Sequence, residues 1–269
     1  MGDLDTENKY SQEILLVYKR NEEKYKLKIA DLYNTIGINF GLRNNHIKER
    51  EYFFFAKNIL DNYKLKNLDE RKNVQEQYLN LFNSLSLSYI NSLDFENTIY
   101  YAKKSLAISE KLAPNSSETA ATYVVLARCY TVEKQCDSAI FYINQALNLL
   151  ELNNLRGSDL WLNYRSFKVN ILARCDKAEE AKSIADSSIK IAIAQGNSPE
   201  SVLSQLLVLN QNTNAELSSM EDQFREKEKI TYQKHAKERI LLIAIVFALI
   251  LVSGLGFVFH RLRQNKKRN

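Results

Sequence analysis

The sequence has few of the residues that tight turns require: 269 residues include only 7 glycines and 2 prolines. Folds built from many short strands use glycine and proline repeatedly, because these residues supply the backbone conformations of most turns. Their scarcity argues against all-β sandwiches and Rossmann-like folds. Apolar residues make up 45% of the chain and charged residues 26%, as is usual for folded proteins. The composition therefore predicts an all-α protein of long helices joined by short connections.

Residues that bind metals or act as nucleophiles are also scarce. The chain has 3 histidines and 3 cysteines (Cys129, Cys136 and Cys175), without a CxxC pair. No spacing among them matches a zinc site, and an odd, sparse set of cysteines does not describe a disulfide scaffold. We expect Cys129 and Cys136 to be packing or surface thiols. Because glycine-rich phosphate loops, GxSxG and HExxH are also missing, we predict a non-catalytic protein without metal or cofactor.

The body of the chain has no excess of either charge. The net charge of +5 arises from the last nine residues, which contain five basic residues and no acid: Arg261, Arg263, Lys266, Lys267 and Arg268. Without these five, 32 Lys and Arg residues face 32 Asp and Glu residues. Nucleic-acid-binding domains usually spread a basic excess over a folded face. We therefore do not expect this chain to bind nucleic acid.

One long uncharged run extends from Ile240 to Phe259. As a helix of about 20 residues it would extend roughly 30 Å, the thickness of the hydrocarbon core of a bilayer. Arg239 and the pair His260-Arg261 flank the run, as interfacial residues do. The run predicts one transmembrane helix over residues 240–259, followed by a basic tail over residues 260–269.

The orientation of this segment is left open by the sequence. Basic residues are dense on both sides of it, so the positive-inside rule favours neither orientation. The N-terminus MGDLDTENKY shows no secretory signal, which favours a cytoplasmic body. A signal missing from this sequence would instead place the body outside the cytoplasm.

A repeated pattern occupies the middle of the chain. The stretches that begin at Phe82 and Tyr123 match in residue type at a shift of 41 residues. The matched pairs are aromatic, leucine or small: Phe82 with Tyr123, Leu85 with Leu126, Ser86 with Ala127, Tyr89 with Tyr130, Ser105 with Ala146 and Leu106 with Leu147. Small residues at regular positions allow two helices to pack closely.

This pattern resembles the tetratricopeptide repeat (TPR), which places an aromatic, a leucine with a small residue and a tyrosine on a first helix and small residues on a second. The resemblance implies helix pairs that stack into an α-solenoid. Weaker copies include Tyr33 and Tyr164, and in the last copy Lys168 replaces the small residue. We expect a partial repeat or capping helix over residues 1–29, then repeats within 30–196, at about 30–63, 79–112, 120–153 and 161–195.

Residues 197–239 predict a final helix and a polar stalk. Leu217, Met220 and Phe224 have the 3-and-4 spacing of a coiled-coil seam, but Lys227 and Thr231 interrupt it. The seam indicates a homodimer through the stalk, and a solvated single helix is the alternative.

The resemblance also implies a concave groove lined by the first helices of the repeats. The family's groove positions include apolar residues such as Leu87, and the polar residues at these positions are Asn34, Asn83, Arg128 and Arg165. Guanidinium and amide groups hold peptide backbones or carboxylates through bidentate hydrogen bonds. We predict that a protein or peptide partner binds there, the alternative being solvated polar residues on an unused surface.

The whole arrangement is similar to that of bacterial single-pass membrane regulators with an extracytoplasmic repeat domain and a cytoplasmic output domain. The resemblance implies a sensor or scaffold part of a signal-transduction system, without the output domain and with its repeats in the periplasm or otherwise outside the cytoplasm. The alternative is a tail-anchored cytoplasmic scaffold that recruits partners to a membrane.

Overall fold

The computed structural model of the protein describes the backbone of residues 2–65, 67–196 and 198–266, and most side chains between residues 6 and 240. Helices and short turns make up this described part, which contains no strand. The helices are α1 (Gly2–Lys19), α2 (Glu22–Gly41), α3 (His46–Asp61), α4 (Leu68–Asn91), α5 (Phe95–Leu112), α6 (Ser117–Val132), α7 (Cys136–Leu152), α8 (Asp159–Arg174), α9 (Ala178–Ala194) and α10 (Pro199–Lys266).

Consecutive helices pack in pairs, and the pairs stack in chain order. The pairs are α2 with α3, α4 with α5, α6 with α7 and α8 with α9, while α1 packs on α2. The second helix of each of the first three pairs contacts the first helix of the next pair. The chain divides into two compact units, residues 1–218 and 219–269. The first unit is therefore an all-α solenoid, and the beginning of α10 belongs to it.

The same turn joins the two helices of every pair. One residue in each turn has a positive φ between 54° and 59°: Asn44, Leu93, Lys134 and Asp176, which are spaced 49, 41 and 42 residues apart. The next residue donates its N–H to the carbonyl oxygen five residues earlier, over 2.8–3.0 Å. This is the left-handed cap that commonly ends helices. The same cap also follows α7 at Asn154, between two pairs, so it is the near-constant spacing of the four turns within pairs that indicates one repeated structural unit.

Small residues lie where the paired helices approach most closely. Ser86, Ala127, Ala139 and Ala146 are all buried. Gly37 shows how close the approach is, because a Cβ added there would lie 2.5 Å from a ring carbon of Phe53 on α3. Close contact between paired helices therefore requires small side chains at these positions.

Cys136 and Cys175 form a disulfide, with their Cα atoms 5.8 Å apart. The expectation that Cys136 is a packing or surface thiol is therefore wrong, because its sulfur is bonded to that of Cys175. The two residues are 39 positions apart in sequence, but they lie in equivalent turns: Cys136 is two residues after the left-handed Lys134, and Cys175 directly precedes the left-handed Asp176. Stacking of α6–α7 on α8–α9 brings these turns together. Cys129 remains a free, buried thiol.

The predictions for the C-terminal part have separate outcomes. Leu217, placed by its sequence spacing in a coiled-coil seam, is only 1% exposed within the single chain. Between residues 6 and 240, where side chains are described, no helix is both long and apolar enough to cross a membrane. The run Ile240 to Phe259 continues α10, but from residue 241 its side chains lie outside the described part, as does the basic tail. The transmembrane helix and the homodimer therefore remain predictions.

Candidate functional site: two pockets beside α6

The first pocket lies between α4 and α6 and has a volume of about 240 Å³. We call it the α4–α6 pocket. Its lining includes Asn83, Leu87, Glu118, Ala121, Thr122 and Val125. Leu87 is 58% exposed although it is a large apolar side chain. The pocket therefore offers an apolar surface that a second molecule could cover.

One end of the α4–α6 pocket is negatively charged. Glu118 lies in the first turn of α6, which Ser116 caps by accepting a hydrogen bond from the N–H of Thr119. The pKa of Glu118 is lowered, chiefly by a hydrogen bond from its own backbone N–H and then by the Ser116 hydroxyl. An ionised carboxylate is favoured at a helix N-terminus. The pocket thus combines an apolar wall with a stable negative charge.

The second pocket lies further along α6, where α8 and α10 complete it, and has a volume of about 250 Å³. We call it the Arg128 pocket. Its lining comes from three helices and includes Val124 and Arg128 of α6, Tyr164 and Phe167 of α8, and Leu209 and Glu216 of α10. The protein therefore forms part of this pocket with its own final helix.

Arg128 and Glu216 form an ion pair in this pocket. The distance from Arg128 Nη1 to Glu216 Oε1 is 2.6 Å, and the two side chains are 31% and 48% exposed. The guanidinium of Arg128 also lies 5.9 Å from the centre of the Phe167 ring. Arg128 is thus oriented by a carboxylate and an aromatic face before any partner binds.

The beginning of α10 is attached along α8 by further hydrogen bonds. Arg174 Nη2 donates to the side-chain oxygen of Asn214 over 3.0 Å and to the hydroxyl of Ser218 over 2.8 Å. Near the start of α8, Gln205 donates to Asp159 over 2.9 Å. Polar contacts therefore hold both ends of this segment against α8.

The four residues predicted for the groove have different environments. Arg165 folds back onto α9, where its Nε donates to Ser188 and one Nη donates to the carbonyl of Ile184, both over 2.9 Å. Asn83 lines the α4–α6 pocket and accepts a hydrogen bond from Ser105. Asn34 is buried, and among the described residues its side-chain oxygen has no hydrogen-bond partner.

Asn83 therefore lies at the α4–α6 pocket and Arg128 at the Arg128 pocket. Asn34 is part of the packed interior, and Arg165 is bound within the α8–α9 pair. The sequence reasoning did not select Leu87, Glu118 or Glu216. Leu87 occupies a groove position of the repeat pattern, but the prediction is restricted to the polar residues at those positions. Glu216 is 88 residues from Arg128, and nothing in its local sequence indicates the contact. Within the described residues, no cluster of His, Cys, Asp and Glu could hold a metal ion.

No known family model matches this sequence, and no curated protein matches it either. Solved structures do match. BtubC (BKLC) from P. vanneervenii is 10% identical, with a TM-score of 0.58 over 84% of this chain and 92% of its own. A putative kinesin light chain of Podosopora anserina with nearly identical TPR-like repeats is 13% identical, with a TM-score of 0.53 over 77% of this chain and 97% of its own. At such low identity the similarity shows the fold alone, and that fold is a TPR-like α-solenoid.

Proposed function

We propose that the protein is a non-catalytic, membrane-anchored interaction module whose groove binds a polypeptide segment of a partner protein. The α4–α6 pocket is the observation that supports this function best. It is a concave surface on the first helices of the repeats, with an exposed leucine and an ionised glutamate. Repeat solenoids bind partners on such concave surfaces.

The lining of the pocket suggests the chemistry of the partner segment. An apolar side chain would cover Leu87 and Val125, removing exposed apolar surface from water. A lysine or arginine beside it would pair with the carboxylate of Glu118. The segment that fits is therefore one with an apolar anchor and a neighbouring basic residue.

A selection experiment on the full chain tests this function. Peptides that bind the wild-type chain would be selected from a displayed random library. Their affinities would then be measured for the wild type and for the variants Leu87→Asp and Leu152→Asp. Leu152 is a matched control because it is an exposed leucine at the end of α7 and lines neither pocket. We expect binding to survive in the control and fall at least tenfold in Leu87→Asp. Equal effects of the two substitutions, or a failure to select binders, would reject the groove as a docking site.

The disulfide supports an extracytoplasmic location for the repeats. Disulfides form and persist in oxidising compartments, whereas cytosolic thiols are generally kept reduced. We therefore favour the arrangement in which residues 240–259 cross the membrane and the basic tail faces the anionic cytoplasmic leaflet. In this arrangement the repeats would act as the sensor or scaffold part of a bacterial regulatory system. A tail-anchored cytoplasmic scaffold is the alternative topology.

Protease treatment of spheroplasts distinguishes the two topologies. An extracytoplasmic solenoid is digested in intact spheroplasts, and its Cys136 and Cys175 resist alkylation until a reductant is added. Digestion only after lysis of the inner membrane would support the cytoplasmic alternative. Recovery of the chain in the soluble fraction after carbonate extraction would reject the membrane anchor.

A further inference from the structure

Residues from both pockets form one stripe along α6. Glu118, Ala121, Val125 and Arg128 follow one another at intervals of 3 or 4 residues, so they share a face of the helix. The stripe begins with a negative charge, continues with apolar side chains and ends with a positive charge. From Glu118 to Arg128 it extends about 15 Å, at 1.5 Å per residue.

The positive end of this stripe is already occupied by a carboxylate of the same chain. Glu216 reaches Arg128 on α6, although the hydrogen bonds of Asn210 and Asn214 attach α10 to α8. The pair is half exposed, so water screens it and a second carboxylate can compete for the guanidinium. The bonds to α8 do not involve Arg128, and α10 can therefore release Glu216 without leaving α8.

A segment in the α4–α6 pocket lies within reach of Arg128. Val125 lines that pocket, and Arg128 is one helical turn further along the same face of α6. A partner residue placed one helical turn beyond the apolar anchor would therefore meet the guanidinium. The chemistry that fits there is that of Glu216, an acidic side chain.

We propose that the partner segment has a basic residue, an apolar anchor and an acidic residue in that order along the stripe, and that its acid replaces Glu216 on Arg128. This inference rests on the proposed function. It adds the order of charges along the partner segment and a link between partner binding and α10. Binding of the partner and the Arg128–Glu216 pair exclude each other, so docking on α6 frees the carboxylate of α10. The helix that contains the apolar run thereby senses whether the groove is occupied.

The test measures the affinity of one selected acidic peptide, and of its Glu→Gln counterpart, for variants of the full chain. In Glu216→Gln the internal competitor is gone, and we expect the acidic peptide to bind roughly threefold to tenfold more tightly than to the wild type. The Gln counterpart should show no such gain. Arg128→Gln in the same background should remove it. Glu228→Gln, which alters another exposed glutamate of α10, should bind like the wild type.

Each result decides the question, provided that circular dichroism shows every variant to be folded. The proposal is rejected if Glu216→Gln gives no gain, if the Gln counterpart gains equally, or if the gain survives Arg128→Gln. If selected peptides depend on Leu87 but contain no required acid, the link to α10 fails and the proposed function stands. If the selected peptides do not depend on Leu87, the proposed function itself fails.

Discussion

The sulfur atoms of Cys136 and Cys175 are bonded, which joins the first residue of α7 to the residue that caps α8. The bond connects equivalent turns of two neighbouring helix pairs, whose stacking otherwise depends on non-covalent contacts such as the hydrogen bond that Trp161 Nε1 donates to Glu151. A cross-link at this place resists separation of the α6–α7 and α8–α9 pairs. Both the α4–α6 pocket and the Arg128 pocket are lined by α6, which belongs to one of these pairs.

Loss of the disulfide should lower the stability of the solenoid. The bond closes a loop of 39 residues, and a loop of this size is expected to stabilise the folded state by about 2–4 kcal/mol. The double variant Cys136→Ser/Cys175→Ser should therefore unfold at a lower denaturant concentration. Urea unfolding followed by circular dichroism measures the difference, and the wild type in reductant, which keeps its sequence but loses the cross-link, should lose a similar amount.

The thiol count provides a check on the same bond. Burial raises the pKa of the Cys129 thiol to about 12, so the native protein should react with no alkylating reagent at neutral pH. The unfolded, unreduced chain should expose one thiol, and the reduced chain three. Three reactive thiols without reductant would show that the bond does not form.

Glycine in place of Lys134 should stabilise the protein. Lys134 is exposed and has a φ of 59°, a left-handed conformation that residues with a Cβ adopt at a cost. We expect Lys134→Gly to raise the free energy of unfolding by about 0.5–1 kcal/mol. Lys134→Ala removes the same side chain but keeps the strain, and it should give no gain. A similar gain from both substitutions would mean that the lysine side chain, not its backbone, is unfavourable.

Alanine in place of Gly37 should destabilise the first helix pair. Its Cβ would overlap the Phe53 ring, with a separation of 2.5 Å, and crowding of a packed core costs about 1–3 kcal/mol. Thermal unfolding should show the loss. Because Phe53→Leu makes room, the double variant should lose less than the sum of the two single losses. Strict additivity would indicate that the two residues do not touch.

Alkaline pH should weaken the packing of α6 on α5. Burial raises the pKa of Tyr123 to about 12, aided by the hydrogen bond that its hydroxyl donates to Glu110 over 2.8 Å. Since the folded state keeps this proton longer than the unfolded chain, its contribution is complete below the ordinary tyrosine pKa near 10 and is lost as pH rises towards 12. Melts between pH 9 and 11.5 should show a steeper decline for the wild type than for Tyr123→Phe.

The regular part of the fold could be predicted because its signals are local. Aromatic and small residues recur at fixed intervals, and the structure repeats the left-handed turn at Leu93 and Lys134 with the same 41-residue spacing. The Arg128–Glu216 pair depends instead on where α10 lies after the solenoid has formed. Arg165 illustrates a second difficulty: its position indicates a groove residue, yet hydroxyls at Ser187 and Ser188 draw its guanidinium onto α9.

The central claim, that the groove of the solenoid holds a partner polypeptide, is tested most directly by photo-crosslinking in cells. A photoreactive amino acid would replace Leu87 in the full chain, and Leu152 in a matched control, and cross-linked products would be separated by size and identified by mass spectrometry. We expect a discrete adduct from position 87 that is absent from position 152 and that weakens when Glu118 is changed to Gln. The same products from both positions, or none from position 87, would contradict the claim.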